Sequence, residues 1–204
     1  MELSAEAIPP ASMYKLLVGS VVPRPIGWIS TMSKDGVHNL APFSFFNVAS
    51  SNPPHVLFCP TIRSTDNGRK DTLHNARDTG EFVVNIVTES LGEAMNLTAT
   101  EWDADVDEFA MAGITTAPSL TVKPLRVIQS PIHFECKVAQ IIDLGGGHVV
   151  IGRVLHVHVD ESVLIGTDKI DVEALKPIGK LAGNAYTRVT DLFDLVRPPS
   201  QLGK

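Results

Sequence analysis

What this sequence lacks narrows its class before any motif is read. Only two cysteines, Cys59 and Cys136, occur in 204 residues, and they form no CxxC pattern. A disulfide framework is therefore out of reach, and a reducing cytosol is the natural compartment. Both thiols lie in apolar runs and read as buried and inert. The start, Met-Glu-Leu-Ser-Ala-Glu, has neither a basic region nor an apolar one, so no export signal is visible and a cytoplasmic location is expected. Cations are outnumbered, 17 Lys and Arg against 23 Asp and Glu, for a net charge of -6. That excess argues against a general nucleic-acid or membrane-surface binder. No GxGxxG dinucleotide fingerprint is present. Asp103, Asp105, Asp107 and Glu108 loosely resemble a calcium loop, but its glycine and terminal glutamate are missing, and the cluster reads as a solvated acidic loop. His156 and His158 share a strand face without a third ligand, so no metal site is expected.

Charge is also missing locally. From Gly36 to Ile62 there is no Asp, Glu, Lys or Arg. The apolar content would suit a membrane span, but Pro42, Pro53, Pro54 and Pro60 break any helix, and hydroxyls and amides are spread throughout. A neutral stretch reading Asn39-Leu-Ala-Pro-Phe-Ser-Phe-Phe-Asn47 can lie against a large flat heteroaromatic ring, with backbone donors and acceptors at the rim. Arg24 before it, and Arg63 and Lys70 after it, are cations for an attached phosphate. A flat ring carrying a phosphate is the chemistry of a flavin.

Hydrophobic residues make up 44% of the chain and charged residues 20%, which fits one well-filled domain over residues 1–204. Strand signals dominate. Pro25 to Met32 and Val37 to Ala41 flank a Gly36 turn and read as a hairpin. Val56 to Cys59 and Phe82 to Val87 are further strands. Ile132, Phe134, Cys136 and Val138 alternate with His133, Glu135 and Lys137, the period of a strand with one wet face, which puts His133 at the surface. A triple glycine, Gly145 to Gly147, then turns into a long strand from Val149 to Val159, whose interior Gly152 marks a bend or close backbone approach. Helices are expected over Thr72 to Arg77, with Asp71 as N-cap and Gly80 beyond the end, and over Glu89 to Thr98. Many strands and few helices point to a closed or split β-barrel, since closure removes exposed edges.

Pro23-Arg-Pro-Ile-Gly-Trp-Ile-Ser-Thr31, the Asn39 to Asn47 stretch, Lys70-Asp-Thr72 and Gly80-Glu-Phe-Val-Val-Asn85 together resemble the flavin reductase-like proteins with an FMN-binding split barrel. Val106-Asp-Glu-Phe109, Ser130 to Cys136 and Gly147 to Gly152 continue the likeness in the same order, over roughly residues 14 to 198. The resemblance implies a mainly β, Greek-key-like antiparallel split barrel with a few peripheral helices.

Phosphate needs cations and N–H or O–H donors, which a helix N-terminus supplies together with a favourable dipole. Lys70 as charge, Thr72 as hydroxyl, the first-turn amides after Asp71, the hydroxyls of Ser30 and Thr31, and Arg63 as a second cation are the expected phosphate and ribityl contacts. Ala41, Ser44, Phe45, Phe46 and Asn47 are the candidates for the isoalloxazine ring, and Trp28 is either a ring contact or packing. His148 opens a strand after the glycines and is expected at a barrel rim, where it would position the reacting groups. Gly147 stands where the resembled family often carries an acidic residue beside that histidine.

The implied function is an FMN-dependent oxidoreductase, an NADH or NADPH:flavin reductase that passes electrons to free flavin, oxygen, iron or a partner enzyme such as an oxygenase. An FMN-bearing electron carrier without pyridine nucleotide turnover is the alternative, and a barrel repurposed for haem a third reading. The resemblance also implies a homodimer with the flavin near the interface.

Overall fold

The computed structural model describes residues 1–63, 65–66 and 68–202. Seven antiparallel strands form one sheet: β1 Gly27–Met32, β2 His38–Phe43, β3 Phe46–Ser51, β4 Pro54–Phe58, β5 Glu81–Ile86, β6 Ile132–Asp143 and β7 His148–Val159. Their order across the sheet is β2-β1-β5-β6-β7-β4-β3. The two edge strands, β2 and β3, are thus at opposite ends of the sheet, yet only Ser44 and Phe45 separate them in the chain. Two residues cannot cross a flat seven-stranded sheet, whose strands lie about 4.8 Å apart. The sheet must roll until its edges meet. The Cys59 N–H donates to the Phe45 carbonyl at 2.8 Å, extending the β3–β4 ladder into the link, while no ladder pairs β2 with β3 among the described residues. The result is the mainly β, Greek-key-like split barrel expected from the sequence.

Rolling gives the sheet two buried surfaces. Inside the barrel lie Ile29, Phe43, Phe46, Val56, Phe58, Phe82, Val84, Cys136 and Val150, joined by Leu73 and Ala76 of helix α2, Asp71–Thr79. The Phe58 ring meets Phe43 and Phe82, each at 5.1 Å between centroids, in the tilted and edge-on geometries aromatic pairs favour. Outside β1 and β2, a second core gathers Trp28, Leu40, Val87, Leu91, Met95, Phe109 and Val127. Strand alternation places Trp28 on the face opposite Ile29, which explains why β1 is apolar on both sides. The Glu89 to Thr98 region is helical as expected, a 3-10 turn Glu89–Leu91 running into Gly92–Leu97. Helix α1, Pro10–Ser20, was not anticipated: only Val18 on it is buried, so it carries little apolar periodicity. No helix among the described residues is long and apolar enough to cross a membrane.

Beneath the seam sits Arg24, only 6% exposed. Its guanidinium donates to the carbonyls of Val18 at 2.5 Å, Val21 at 2.8 Å and Leu181 at 3.0 Å, and to Ser44 Oγ at 3.4 Å. It ties the first helix, the C-terminal segment and the β2–β3 link together. The role of phosphate cation expected of it is therefore corrected, because its donors are already used.

The wet face expected on β6 is also corrected. His133 is 4% exposed and Glu135 fully buried, because the segment carrying the two-residue ladder Thr116–Ala117 with Arg126–Val127 lies over them. The Glu135 carboxylate accepts from the Leu120 amide at 2.8 Å, the Thr121 amide at 2.6 Å, Thr121 Oγ1 at 2.5 Å and His158 Nε2 at 2.6 Å. His133 Nε2 lies 2.7 Å from the Val127 carbonyl. Burial opposes ionisation of Glu135, but the bonds from Thr121, His158 and Leu120 outweigh it and hold the carboxyl at about 2. Burial pushes His133 down to about 4.

Gly152 is required by packing. A Cβ there would lie 2.2 Å from Phe82 Cζ and 3.2 Å from Cys136 Cβ. Gly152→Ala is expected to cost about 1–3 kcal/mol in denaturant unfolding, and Phe82→Leu in the same chain should recover part of that loss. Strict additivity of the two substitutions would show that no clash exists. Acid stability follows from the covered face. The unfolded chain binds a proton at His133 below about pH 6.5 and at Glu135 below about pH 4.3, whereas the folded chain resists both until about 4 and about 2. Stability is therefore present at neutral pH and falls in two stages as pH drops, each on the order of 3 kcal/mol. Urea midpoints measured between pH 7 and pH 3 should show the upper stage vanish in His133→Gln; an unchanged upper stage would sink the assignment.

Candidate functional site

The start of α2 is where the sequence brought its charges together. Lys70, in extended conformation, is the N-cap, and Asp71 is the first helical residue with no capping bond of its own. The expected Asp71 cap is corrected: the chain turns into the helix one residue earlier. The Leu73 and His74 amides both close on the Lys70 carbonyl, at 2.9 and 3.3 Å, leaving the amides of Asp71 and Thr72 at the helix start, where intrahelical bonding offers no acceptor. At the other end Gly80 adopts the left-handed conformation and its N–H closes on Ala76, as expected.

A cleft of about 130 Å³ opens at this helix start. Arg63, Lys70, Asp71 and Thr72 line one side, and Ala41 and Pro42 of β2 another. Residues 98–102 close it, with Asn39 and Glu108 also in its wall. The two cations are balanced by carboxylates: Arg63 lies 2.9 Å from Asp66 and 3.5 Å from Asp71, and Lys70 is 4.0 Å from Glu101. The indole Nε1–H of Trp102, a residue of the same wall, is buried with no acceptor among the described residues. An orphaned buried donor costs free energy, a standing penalty of this wall.

Behind the wall runs a buried polar network. Asn39 Nδ2 donates to Glu108 Oε2 at 2.5 Å, and the Leu40 amide donates to the same oxygen. Asn39 Oδ1 accepts from Thr72 Oγ1 at 2.7 Å and Thr31 Oγ1 at 3.1 Å, and Asn75 Nδ2 donates to Thr31 at 3.1 Å. Glu108 is 7% exposed, which corrects the solvated acidic loop expected there. It opens a short helix, Glu108–Met111, capped by Asp107 and anchored by Phe109 in the outer core. Burial pushes its carboxyl up to about 7, aided by the charges of Asp71 and Asp107 and opposed by the bonds from Leu40 and Asn39.

Five expected site residues, Ala41, Arg63, Lys70, Asp71 and Thr72, therefore share one cleft. The Thr72 proton is directed to Asn39, so the hydroxyl expected to donate to a phosphate is already used, and the backbone amide takes that part. Ser30 and Thr31 are fully buried, their hydroxyl protons going to the Leu125 carbonyl at 2.6 Å and to Asn39. Trp28 is sealed in the outer core with its N–H on Thr98 Oγ1 at 2.8 Å, so packing is its role. Phe46 packs inside the barrel against Gly27. Ser44 and Phe45 are half-buried and Asn47 is exposed, leading away from the cleft past Pro42.

His148 does not lie at an open rim. It is 2% exposed, on the barrel side of β7 with Val150, and its Nε2 is 3.3 Å from Asp143 across the hairpin. The carboxylate missing at position 147 is thus supplied by the preceding strand, whose pairing no local motif reveals. This hairpin end also holds the segment carrying the cleft cations: the His148 amide donates to the Pro60 carbonyl at 3.0 Å, and Asp143 lies 3.7 Å from Arg69. The sequence reading passed over Asn39, Trp102 and Glu108 as site residues. Their signal was an amide inside an apolar strand, a lone Trp in an acidic loop, and a glutamate between Val106 and Phe109.

The fold recurs in proteins of known structure and in a known domain family. The model of the flavin reductase like domain matches residues 18–168. An uncharacterized protein of Aquifex aeolicus is 44% identical over 177 residues, covering 87% of this chain and 90% of its own. Nitrilotriacetate monooxygenase component B of Bacillus cereus superimposes with a TM-score of 0.91 at 34% identity, covering 96% of this chain and 98% of that one. The 2-nitrobenzoate 2-nitroreductase NbaA of Pseudomonas fluorescens does so at 0.88 and 30% identity, covering 98% and 100%.

Proposed function

The chain belongs to the flavin reductase-like family, and from that premise we propose that it is an FMN-dependent oxidoreductase that draws electrons from NADH or NADPH. The observation that carries the reading is the donor set of the cleft: Arg63, Lys70 and the amides opening α2. These are the groups a single terminal phosphate requires. At about 130 Å³ the cleft is smaller than the ~300 Å³ of a pocket that encloses a whole small molecule. It holds the phosphate end alone, and the ring lies outside, along Ser44, Phe45 and Asn47. When bound, the flavin supplies two-electron chemistry between the nicotinamide donor and an acceptor. The protein's part is to bind and orient: Lys70 and Arg63 exchange Glu101 and Asp71 for the phosphate, and the neutral stretch from Gly36 to Ile62 places no fixed charge beside the ring. The likeness to a monooxygenase component B supports a partner oxygenase as the acceptor.

A ring lying on a half-open surface needs a cover, and a second copy of the chain supplies it in this reading. Leu192, Phe193, Leu195 and Val196, 50–93% exposed in the C-terminal segment, are the apolar surface a lone chain tolerates poorly. Sedimentation at micromolar concentration should show twice the 22.0 kDa chain mass; a species at the single-chain mass would remove the dimer.

Lys70→Ala should weaken FMN by about 1–3 kcal/mol while leaving riboflavin nearly unchanged, measured by fluorescence titration. Equal losses for both ligands would separate Lys70 from the phosphate. Oxidation of NADH or NADPH, followed by absorbance with FMN present, tests the reductase activity. Bound FMN without nicotinamide turnover would assign the electron-carrier role in its place.

A further inference from the structure

Among the described residues Glu108 is the one carboxyl both buried in the wall of the cleft and wired into the network behind it. Both hydrogen bonds it accepts, from Asn39 Nδ2 and the Leu40 amide, end on Oε2. A proton added to the carboxyl therefore goes to Oε1 without breaking either bond, and the acid then offers an O–H donor. The groups suited to an anion here are donors or cations: Arg63, Lys70 and the Asp71 and Thr72 amides. Asp71 and Glu101 of the same lining are half-buried and ion-paired with Arg63 and Lys70, whereas Glu108 is buried and forms no ion pair among the described residues, so an anion placed beside its ionised form meets a like charge in a poorly solvated wall.

We propose that the cleft takes its anionic group together with one proton, held on Glu108, so that anion binding and proton uptake are a single linked event. The inference rests on the anion-site part of the proposed function. Burial already brings the carboxyl up to about 7, so a bound anion needs to add only a modest repulsion to keep it protonated through neutral pH. The charged and titratable groups around it are Asp107 on its own helix, Asp71 of α2, and Arg63, Lys70 and Glu101 of the cleft. On its other side a groove carries Asp35, His74, Asp78, Asp103 and Asp105, and His38 of β2 stands edge-on to Phe109 at 6.3 Å. All of these remain in a Glu108 variant, so a wild-type-minus-variant comparison isolates the one carboxyl.

The linkage sign is fixed. Where Glu108 is already protonated, below about pH 7, its contribution is level. Above that, affinity falls by up to about tenfold per pH unit, because the proton must be taken from solution. The test titrates FMN and, separately, inorganic sulfate, a dianion throughout this range, into wild type and Glu108→Gln between about pH 6 and pH 9. Tryptophan fluorescence gives the affinities, and calorimetry in two buffers of different ionisation enthalpy counts the protons. Uptake approaching one proton near pH 8 in wild type, absent in Glu108→Gln, is the expected result with either ligand. Parallel pH profiles and equal uptake in the two proteins would overturn the proposal. Sulfate binding with Glu108-dependent uptake but no FMN binding would remove the flavin reading and leave this one standing. Binding of neither ligand at any pH removes both. If Glu108→Gln does not fold, the infrared difference spectrum of wild type with and without FMN at about pH 8 decides: a new protonated-carboxyl band supports the proposal, and its absence overturns it.

Discussion

The constraint on which the rest of this structure depends is the two-residue link between opposite edges of one sheet. Ser44 and Phe45 join β2 to β3, and the strand order leaves no way to satisfy that link except by rolling the sheet closed. Closure makes an interior that Phe43, Phe58 and Phe82 fill, and it brings Gly152 so near Phe82 that no side chain fits there. Arg24, buried beneath the link, shows how the seam is held. A guanidinium out of water needs its donors satisfied, and here three backbone carbonyls, two from the end of the first helix and one from the C-terminal segment, do so in place of a carboxylate.

The same closure positions the cleft. Helix α2 inserts Leu73 and Ala76 into the barrel core, which fixes its first turn against β2 and sets Lys70 and its amides beside Ala41. Donors and acceptors there divide into two groups. Thr31, Thr72, Asn39 and Asn75 satisfy one another and rigidify the wall. Arg63 and Lys70 meet carboxylates that an incoming anion can displace, and the amides opening α2 have no intrahelical acceptor. The first group is structural because its bonding is complete; the second suits a ligand because it is exchangeable or unfilled.

Much of this was legible in the residues. Alternation and turn glycines located the β1–β2 hairpin, the long β6–β7 pair and the helix ending at Gly80, and the charge-free stretch with its flanking cations pointed to one region. The misreadings share a cause. Ser30 and Thr31 were read as ligand contacts because hydroxyls at a strand end are so often free, but residue type does not tell which partner a hydroxyl meets. His133 and Glu135 were read as wet because alternation distinguishes two faces without saying that a later segment, residues 116–127, covers the polar one. His148 was read as an exposed rim residue because glycine turns usually are exposed, and its carboxylate partner, Asp143, is a neighbour only through strand register.

What the sequence by itself determined is local: the period-2 strands, the glycine turns, the helix ending before Gly80, and the absence of fixed charge between Gly36 and Ile62. These follow from backbone sterics and side-chain chemistry that act within a few residues. Only the tertiary structure decided which polar groups are engaged and which remain open to a ligand. That distinction depends on pairs far apart in the chain, Asn39 with Glu108, Trp28 with Thr98, Ser30 with Leu125. A hydrogen bond is set by distance and direction in space, and spacing along the chain carries neither once the sheet has rolled closed.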